Sequence, residues 1–338
     1  KNGSFNFDTL IPASDSAAAS ADNNKNDSSG LSFVLLADRI VLNNCNFTYK
    51  DLQTGMDASV NKLQVEIREF DLDSPFDIKI KFTTEYSAAG LNMTVPVSIS
   101  LRTFLANLNL PEAYVTVNDI SATYKTVKLQ LKGGIKNFEA PQADLSGTLS
   151  GISNTTVAEI LPDLPHFSLP VIHMAVKAVA DLEKSTAVIS QAKLSVMDSA
   201  FSLAGTAGWA GAAPTYSVQA DLSTDLGQIV QMTDTVADFQ PGGLITGAFK
   251  ATDKNDGQDI SGQILLKNVS AMYAPFTVKD LNGTVKITSI NDIACPSLTG
   301  FLNGEKFTSS FSYKNIKDVL NIVFNAELDK FTLKEFPS

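Results

Sequence analysis

The chain is short of the residues that carry most enzymatic and metal chemistry. Among 338 residues there are two histidines, His166 and His173, and two cysteines, Cys45 and Cys295. Neither histidine lies in a recognisable zinc-ligand pattern. The sequence also has no nucleophile-elbow motif and no phosphate-binding glycine loop followed by Lys-Ser/Thr. We therefore expect no catalysis, no metal and no other cofactor. With only two distant cysteines, a disulfide and two free thiols both remain open.

Positive charge and long hydrophobic runs are also lacking. Lys and Arg total 26 against 36 Asp and Glu, so the net charge is −10. Because phosphate binding needs a basic face, this balance argues against a nucleic-acid partner and against electrostatic docking on anionic lipid. No run reaches about eighteen apolar residues, so no helical membrane span is predicted. The first residues show neither an initiator Met nor a signal-peptide pattern, so we expect a mature fragment.

What the chain does have is long, strict alternation of apolar and polar residues. From Phe76 to Tyr86 the apolar positions alternate with Asp, Lys, Thr and Glu, and the pattern resumes from Leu91 to Leu101. Successive side chains of a strand point to opposite faces, so this predicts a hairpin with one apolar and one polar face. Each arm is longer than the usual strand of about five or six residues.

Strand patterns recur from Phe33 to Leu328 with short connections, which predicts an antiparallel meander. Helix signals are few: one after Ser223, one at the capping box Thr156–Glu159, and one over Arg102–Leu108. We predict an all-β chain with minor α content: an elongated, curled antiparallel β-sheet with a few short capping helices. Three segments are expected: residues 1–30, an N-terminal strand fragment and a flexible Ala/Ser/Asn-rich loop; 31–170; and 171–338, continuous with the second.

Glycine and proline interrupt the strand patterns. Glycine inside a strand marks a bend or bulge, so glycines repeated at comparable places would let a long sheet curl. Pro96 removes a ladder donor and predicts an edge or a bulge. We expect turns at Gly133-Gly134, Asp256-Gly257 and Asn282-Gly283.

Two regions carry a recognisable pattern of short strand motifs. The first is Asp38–Asp51, followed by Thr54-Gly55, Leu63 and Phe70-Asp71-Leu72. The second is Gly243–Gly247, Ile260–Gly262, Asp280–Gly283, Leu298–Gly300 and Asn303-Gly304. Both regions resemble the AsmA family. The resemblance covers most of the chain after residue 31. The family's N-terminal membrane-anchoring helix is absent from this sequence, and the stretch before residue 30 has no counterpart.

The resemblance implies a curled sheet whose concave side is an apolar groove, as in the related TamB and bridge-like lipid transfer proteins. Such proteins belong to the envelope of double-membraned bacteria and are implicated in moving phospholipid from the inner to the outer membrane. It therefore implies a periplasmic protein anchored to the inner membrane. Its partners would be phospholipid acyl chains and, as a further expectation, outer-membrane assembly proteins. The family has no catalytic residues to carry over.

The apolar positions of the longest strands are the predicted lining of that groove. An acyl chain in water costs about 0.8 kcal/mol per exposed CH₂, so a carrier needs an unbroken apolar lining. Alternation alone equally predicts the core of a β-sandwich, as in an adhesin. A structural or regulatory role in outer-membrane assembly is a further alternative. The predicted lining residues are Phe76, Ile78, Ile80, Phe82, Leu91, Met93, Val95, Val97, Ile99, Leu101, Leu320, Ile322, Phe324 and Leu328.

Overall fold

A computed structural model describes residues 36–51, 56–88, 91–160, 167–211, 213–229, 232, 241–253, 258–273, 276–316 and 319–329. Predictions for residues 1–30 and for the Asp256-Gly257 turn lie outside this range. The strands are β1 Ala37–Asp51, β2 Met56–Phe70, β3 Phe76–Ala88, β4 Leu91–Phe104, β5 Tyr114–Tyr124, β6 Val127–Lys136, β7 Gln142–Ser150, β8 Ile172–Asp181, β9 Thr186–Val196, β10 Ser199–Gly208, β11 Thr215–Asp225, β12 Gly242–Asp253, β13 Gln258–Tyr273, β14 Phe276–Ser289, β15 Asp292–Leu302, β16 Glu305–Ile316 and β17 Val319–Leu328.

All seventeen strands belong to one antiparallel sheet, and each pairs with the next along the chain. The predicted all-β meander is therefore confirmed. Strands β1 and β17 are the two edges of the described sheet, which does not close into a barrel. Strands β7 and β8, which lie on either side of residue 170, pair with each other without a register shift. The β4–β5 ladder stops at Val97, so Pro96 pairs only towards β3, where its register partner is Thr83.

Residues that lie opposite each other in an antiparallel pair share a face, so the register assigns every strand position to one of two faces. We call the face that carries Ile78, Ile80 and Phe82 the apolar face, and the other the polar face. The apolar side continues through β4 at Leu101, Ile99 and Val97. It can be followed strand by strand to β1 and to β17.

Glycines inside the strands lie mostly on the apolar face, where large side chains lean over them. A Cβ on Gly262 would lie 2.9 Å from Cδ1 of Phe249, and one on Gly283 would lie 2.8 Å from Cδ1 of Leu298. Such crowding arises where strand faces converge, as on the inner side of a curled sheet, and glycine relieves it. The glycines in question are Gly133, Gly147, Gly205, Gly247, Gly262, Gly283 and Gly300.

One bulge arrangement occurs twice. In β1 and β2, Asn44 and Lys62 both have positive φ, and the side-chain Oδ1 of Asn46 accepts a hydrogen bond from the Lys62 amide at 2.9 Å. The Asn46 Nδ2 donates to the Asn44 carbonyl. On both sides of the Cys45–Leu63 pair the register shifts by one residue, which bends the two strands together.

The second copy lies in β13 and β14. Asn268 and Asp280 have positive φ, and Asn282 accepts from the Asn268 amide at 3.0 Å while donating to the Asp280 carbonyl at 2.7 Å. The register shifts on both sides of the Val269–Leu281 pair. The Asn282-Gly283 turn prediction is therefore wrong: the asparagine bridges a bulge inside β14. Gly133-Gly134 likewise lies within β6, not in a turn.

Two short α-helices occur in the described residues, α1 Asn154–Ile160 and α2 Leu226–Ile229. Helix α1 is capped by Ser153, whose hydroxyl accepts from the Thr156 amide at 3.3 Å, so it begins before the predicted capping box. Ser223 lies inside β11, and the residue that accepts the amide of Gly227 in α2 is Asp225. Of the predicted Arg102–Leu108 helix only a single 3-10 turn is found, at Ala106–Leu108 with positive φ, because β4 extends to Phe104.

Candidate functional site: an uncovered apolar face along the sheet

The structure brings all the predicted lining residues of β3 and β4 onto the apolar face. Ile78 lies opposite Leu101, Ile80 opposite Ile99, and Phe82 opposite Val97. Alternation is what places them there, since every second side chain of a strand points the same way. Farther along, Tyr86–Met93 and Ala88–Leu91 pairs carry the face to the β3–β4 turn.

No second layer of described residues covers these side chains. Phe76 is buried at 3% exposure, but the other predicted residues of β3 and β4 are only half-buried. In a sandwich the same side chains would be fully buried against a facing sheet. Few apolar side chains of the described residues are buried, so no packed core of two stacked sheets is present among them. The apolar face is thus open along much of its length.

The predicted lining residues of β17 lie on the same face, at its far edge. Leu320, Ile322 and Phe324 are 56%, 63% and 67% exposed, and Leu328 is 37% exposed. The register continues the face inwards, since Ile322 lies opposite Tyr313 and Phe324 opposite Phe311. The two predicted clusters are therefore parts of one surface, separated by many strands.

The other strands supply most of the face, and their residues were not among the predicted lining. These residues follow the same alternation, so the sequence holds a signal for them. It does not hold the register between strands, which decides the face of each residue on the far side of a bulge. The main additional residues are Ile40, Leu42, Phe47, Tyr49, Val65, Ile67, Val117, Ile120, Leu129, Leu131, Leu145, Leu149, Met174, Val176, Leu194, Phe201, Leu203, Leu222, Phe249, Ile264, Val285, Ile287, Leu298, Phe307, Phe311 and Tyr313.

Charge is confined to the ends of strands on this face. Along the strand interiors that the structure describes, no Lys, Arg, Asp or Glu shares the register of the apolar face. Asp253 lies opposite Tyr216 and Glu305 opposite Leu302, each at a strand end. An unpaired charge within an apolar lining would be costly to desolvate, so this distribution suits contact with uncharged, apolar groups.

The opposite face is wet and ion-paired. Glu66 of β2 bonds to Arg39 of β1 at 2.8 Å and to Arg68 at 2.9 Å, and Arg102 of β4 bonds to Asp77 of β3 at 3.1 Å. Exposed pairs of this kind add little stability, but they favour one register and keep this face hydrated. Shallow clefts occur between such side chains. One of them borders Gln219, Asp221, Lys250, Gln263 and Lys286, and it is open to solvent.

Helix α1 closes the apolar face at the β5–β6 turn. Tyr124, the last residue of β5, is buried, as is Val157 of the helix. The Tyr124 hydroxyl donates to Glu159 at 3.2 Å, and Lys125 forms an ion pair with the same carboxylate. The Lys125 ammonium lowers the pKa of the Glu159 carboxyl below its ordinary value, with the Tyr124 hydroxyl acting in the same direction. Polar contacts to Glu159 and the burial of Tyr124 and Val157 thus hold the helix at this turn.

The two long connections on this rim meet each other. The β7–β8 connection contains α1, and the β11–β12 connection contains α2. The Ser168 amide donates to the Met232 carbonyl at 2.8 Å, which joins the two connections, and Leu169 bonds back to Ile152 at 3.0 Å. Gln228 of α2 accepts the amide of Asp198 in the β9–β10 turn at 3.0 Å. On this rim the described parts of the two connections therefore contact each other.

Both cysteines are free thiols, which answers the question left open by the sequence. Cys295 is fully buried on β15, and Cys45 is half-buried within the first paired bulge. In the described parts of the chain, no three His, Cys, Asp or Glu side chains cluster closely enough to bind a metal ion. Nor does any helix described by the structure have the length and hydrophobicity needed to cross a bilayer.

Comparison with known proteins leaves the chain without a neighbour. No protein-family model matches the sequence, and no curated protein or solved structure is significantly similar to it. The resemblance to the AsmA family therefore rests on the residues named in the sequence analysis.

Proposed function

We propose that the chain is a non-enzymatic lipid carrier or conduit, which accommodates phospholipid acyl chains along the apolar face of its sheet. The observation that supports this most is the face itself: it is continuous from β1 to β17, and no facing layer of the described chain fills it. Together with the AsmA resemblance, it supports a role in moving phospholipid between the inner and outer membranes of a double-membraned bacterium. The chain would then work in the periplasm, tied to the inner membrane.

The physical case is the hydration of acyl chains. Each CH₂ removed from water contributes about 0.8 kcal/mol, so a chain of sixteen carbons gains on the order of 10 kcal/mol when fully covered. A half-exposed apolar face can supply such contact without first losing contacts of its own. The polar face keeps the carrier hydrated while the lipid is bound. With no basic cluster on the apolar face, we expect little headgroup selectivity.

The test is lipid binding by the purified chain, with charge placed on one face or the other. The chain is incubated with vesicles of phosphatidylethanolamine and phosphatidylglycerol, re-isolated, and examined by native mass spectrometry and lipid extraction. We expect bound phospholipid on the wild type. Ile80→Asp combined with Val97→Asp should lower occupancy at least about tenfold, which needs only about 1.4 kcal/mol per bound lipid.

Thr83→Asp combined with Ser98→Asp is the matched control. It adds the same charge to the same two strands but on the polar face, so lipid occupancy should match the wild type. Loss of lipid in both double variants would point to unfolding, which circular dichroism would reveal. A wild-type chain that stays free of lipid in excess vesicles would overturn the proposal and favour the structural role in outer-membrane assembly.

Binding and transport are separated by a second measurement. Donor vesicles with fluorescent phospholipid and unlabelled acceptor vesicles are mixed with the chain, and transfer is followed over time. A carrier accelerates transfer, and the Ile80→Asp, Val97→Asp variant should not. The adhesin-like sandwich has no support here, because it requires a second sheet packed on the apolar face.

A further inference from the structure

Strand β17 ends the described sheet with an edge that is exposed along its whole length. All ten of its residues are exposed, and its ladder with β16 runs from Phe307–Leu328 to Ile316–Val319 without a bulge. A long, regular edge strand presents a row of unpaired amides and carbonyls. Such an edge pairs readily with another strand unless the sequence prevents it.

The sequence of β17 does not prevent it. Charged residues, proline and bulges are the usual protection, and β17 has one charge, Glu327, with neither of the other two. The opposite edge of the described sheet differs. Strand β1 carries Arg39 and Lys50, and its ladder is broken by the bulge at Asn44. One edge is thus protected and the other is not.

Two residues of β17 are not explained by the apolar face. Val319 and Val323 lie on the polar face, yet they are apolar and are 68% and 47% exposed. Val323 lies opposite Ser312 of β16, and the flanking pairs on the same face are Asn325 with Ser310 and Asn321 with Lys314, so the adjoining surface is polar. A second strand paired along this edge would cover part of both valine side chains, and burying that apolar area favours pairing.

We propose that β17 pairs antiparallel with β17 of a second copy of this chain, about a two-fold axis at Val323. In this register Val323 lies opposite Val323 of the other copy, Ile322 lies opposite Phe324, and Asn321 lies opposite Asn325. Leu320 then lies opposite Ala326. Except for Val319, which lies opposite Glu327, each pair joins residues of the same face and of similar polarity, so the apolar faces of the two copies become one surface.

Charge is compatible with this antiparallel register, whereas a parallel in-register pairing of two copies would place the two Glu327 side chains next to each other. Glu327 is the single charge on β17, and in this register it lies opposite Val319 of the other copy. The two Glu327 side chains are then eight residues apart along the strand, about 26 Å at a rise of about 3.3 Å per residue. That exceeds the Debye length of about 8 Å at physiological salt, so they do not repel each other appreciably. The interface is self-complementary, as a two-fold contact must be.

The first test is the dependence of mass on concentration, measured by analytical ultracentrifugation without lipid. We expect a monomer–dimer equilibrium. Val323→Lys places two like charges directly opposite each other at the axis, and the dissociation constant should rise at least about tenfold. Ser312→Lys is the matched control, since it adds the same charge to the same face one strand inward, and it should leave the equilibrium nearly unchanged.

The second test is the register. Opposed residues of an antiparallel pair have Cα atoms about 4.5–5.5 Å apart, within the reach of a disulfide. In a Cys45→Ser background, Val323→Cys should form a covalent dimer with oxidised glutathione. Asn321→Cys should not, because its counterpart is then four residues away along the strand.

Two outcomes overturn the proposal. One is a chain that stays monomeric up to high concentration. The other is a dimer that persists in Val323→Lys and shows no Val323→Cys disulfide, which would place the contact elsewhere. Because these measurements use no lipid, failure of the dimer and failure of lipid binding are distinguishable.

Discussion

The ring of Phe249 lies over two glycines, and this contact shows how the apolar face is shaped at the scale of single residues. A Cβ on Gly247 would lie 2.6 Å from Cε2 of that ring, and one on Gly262 would lie 2.9 Å from its Cδ1. Gly247→Val should therefore displace the ring and destabilise β12 and β13 locally by about 1–3 kcal/mol. Hydrogen exchange of the amides in these two strands measures the effect.

The neighbouring residue provides the control for this substitution. Ala248 is exposed on the polar face of the same strand, so Ala248→Val should change exchange little. Equal exchange in the two variants would mean that the Phe249 ring does not need the space that the glycines leave. The sequence predicted that in-strand glycines bend the sheet, but which face they occupy follows only from the register.

Asparagines show where single-residue prediction fails. Asn-Gly is a strong turn signal, yet at Asn282-Gly283 the amide side chain bridges two positive-φ residues inside a strand pair. The same bridge at Asn46 has no glycine beside it. Local sequence cannot separate these cases, because the deciding partner, the amide of Asn268 or Lys62, lies on another strand.

At the scale of elements, helix α1 is held to the β5–β6 turn partly by the Glu159 carboxylate, and this makes its docking sensitive to pH. Because the partner Lys125 lowers the Glu159 pKa in the folded chain, the ion pair stabilises docking above the ordinary value of 4.5. This contribution is lost as the pH falls from 4.5 through the lower folded pKa. Exchange protection of the α1 amides should fall over that window.

Glu159→Gln tests the assignment. It removes the titrating group while it keeps a side chain that can accept from the Tyr124 hydroxyl, so protection of α1 should be lower at neutral pH and nearly independent of pH below it. The β7 amides serve as an internal reference, since their ladder does not involve this carboxylate. An unchanged pH profile in the variant would assign the effect to another group.

Elements were predictable where alternation is strong. The alternation over Val319–Leu328 predicts the last strand with the bounds that the structure has, and the β3–β4 hairpin lies where its pattern predicts it. No strand pattern marks β15, because Pro296 and small residues interrupt it; its pairing with β14 and β16 imposes the strand. The sequence pattern predicts separate strands over 113–117 and 122–131, whereas β5 runs from Tyr114 to Tyr124 and β6 begins at Val127, because the chain turns at residues 125–126. Long-range pairing overrides local propensity in these strands.

At the scale of the whole molecule, the described sheet is a row of strands, each hydrogen-bonded to the strands before and after it in the chain. Stability in such an architecture is approximately a sum of local terms, as in repeat proteins, because no common core couples distant strands. A sandwich behaves differently, since both of its sheets lose packing when one core residue is changed. The number of strands that lose exchange protection after one substitution therefore distinguishes a single sheet from a sandwich.

A charge placed on the apolar face of β14 makes this measurable. Val285→Asp should raise the exchange rates of amides in β13, β14 and β15 at least about tenfold, while β3, β4 and β5 keep wild-type protection. Thr284→Asp, on the polar face of the same strand, should have little effect anywhere. Loss of protection that extends from β14 to β3 would show that the two regions share a packed core. The apolar face would then be filled by the chain itself, with no room for lipid.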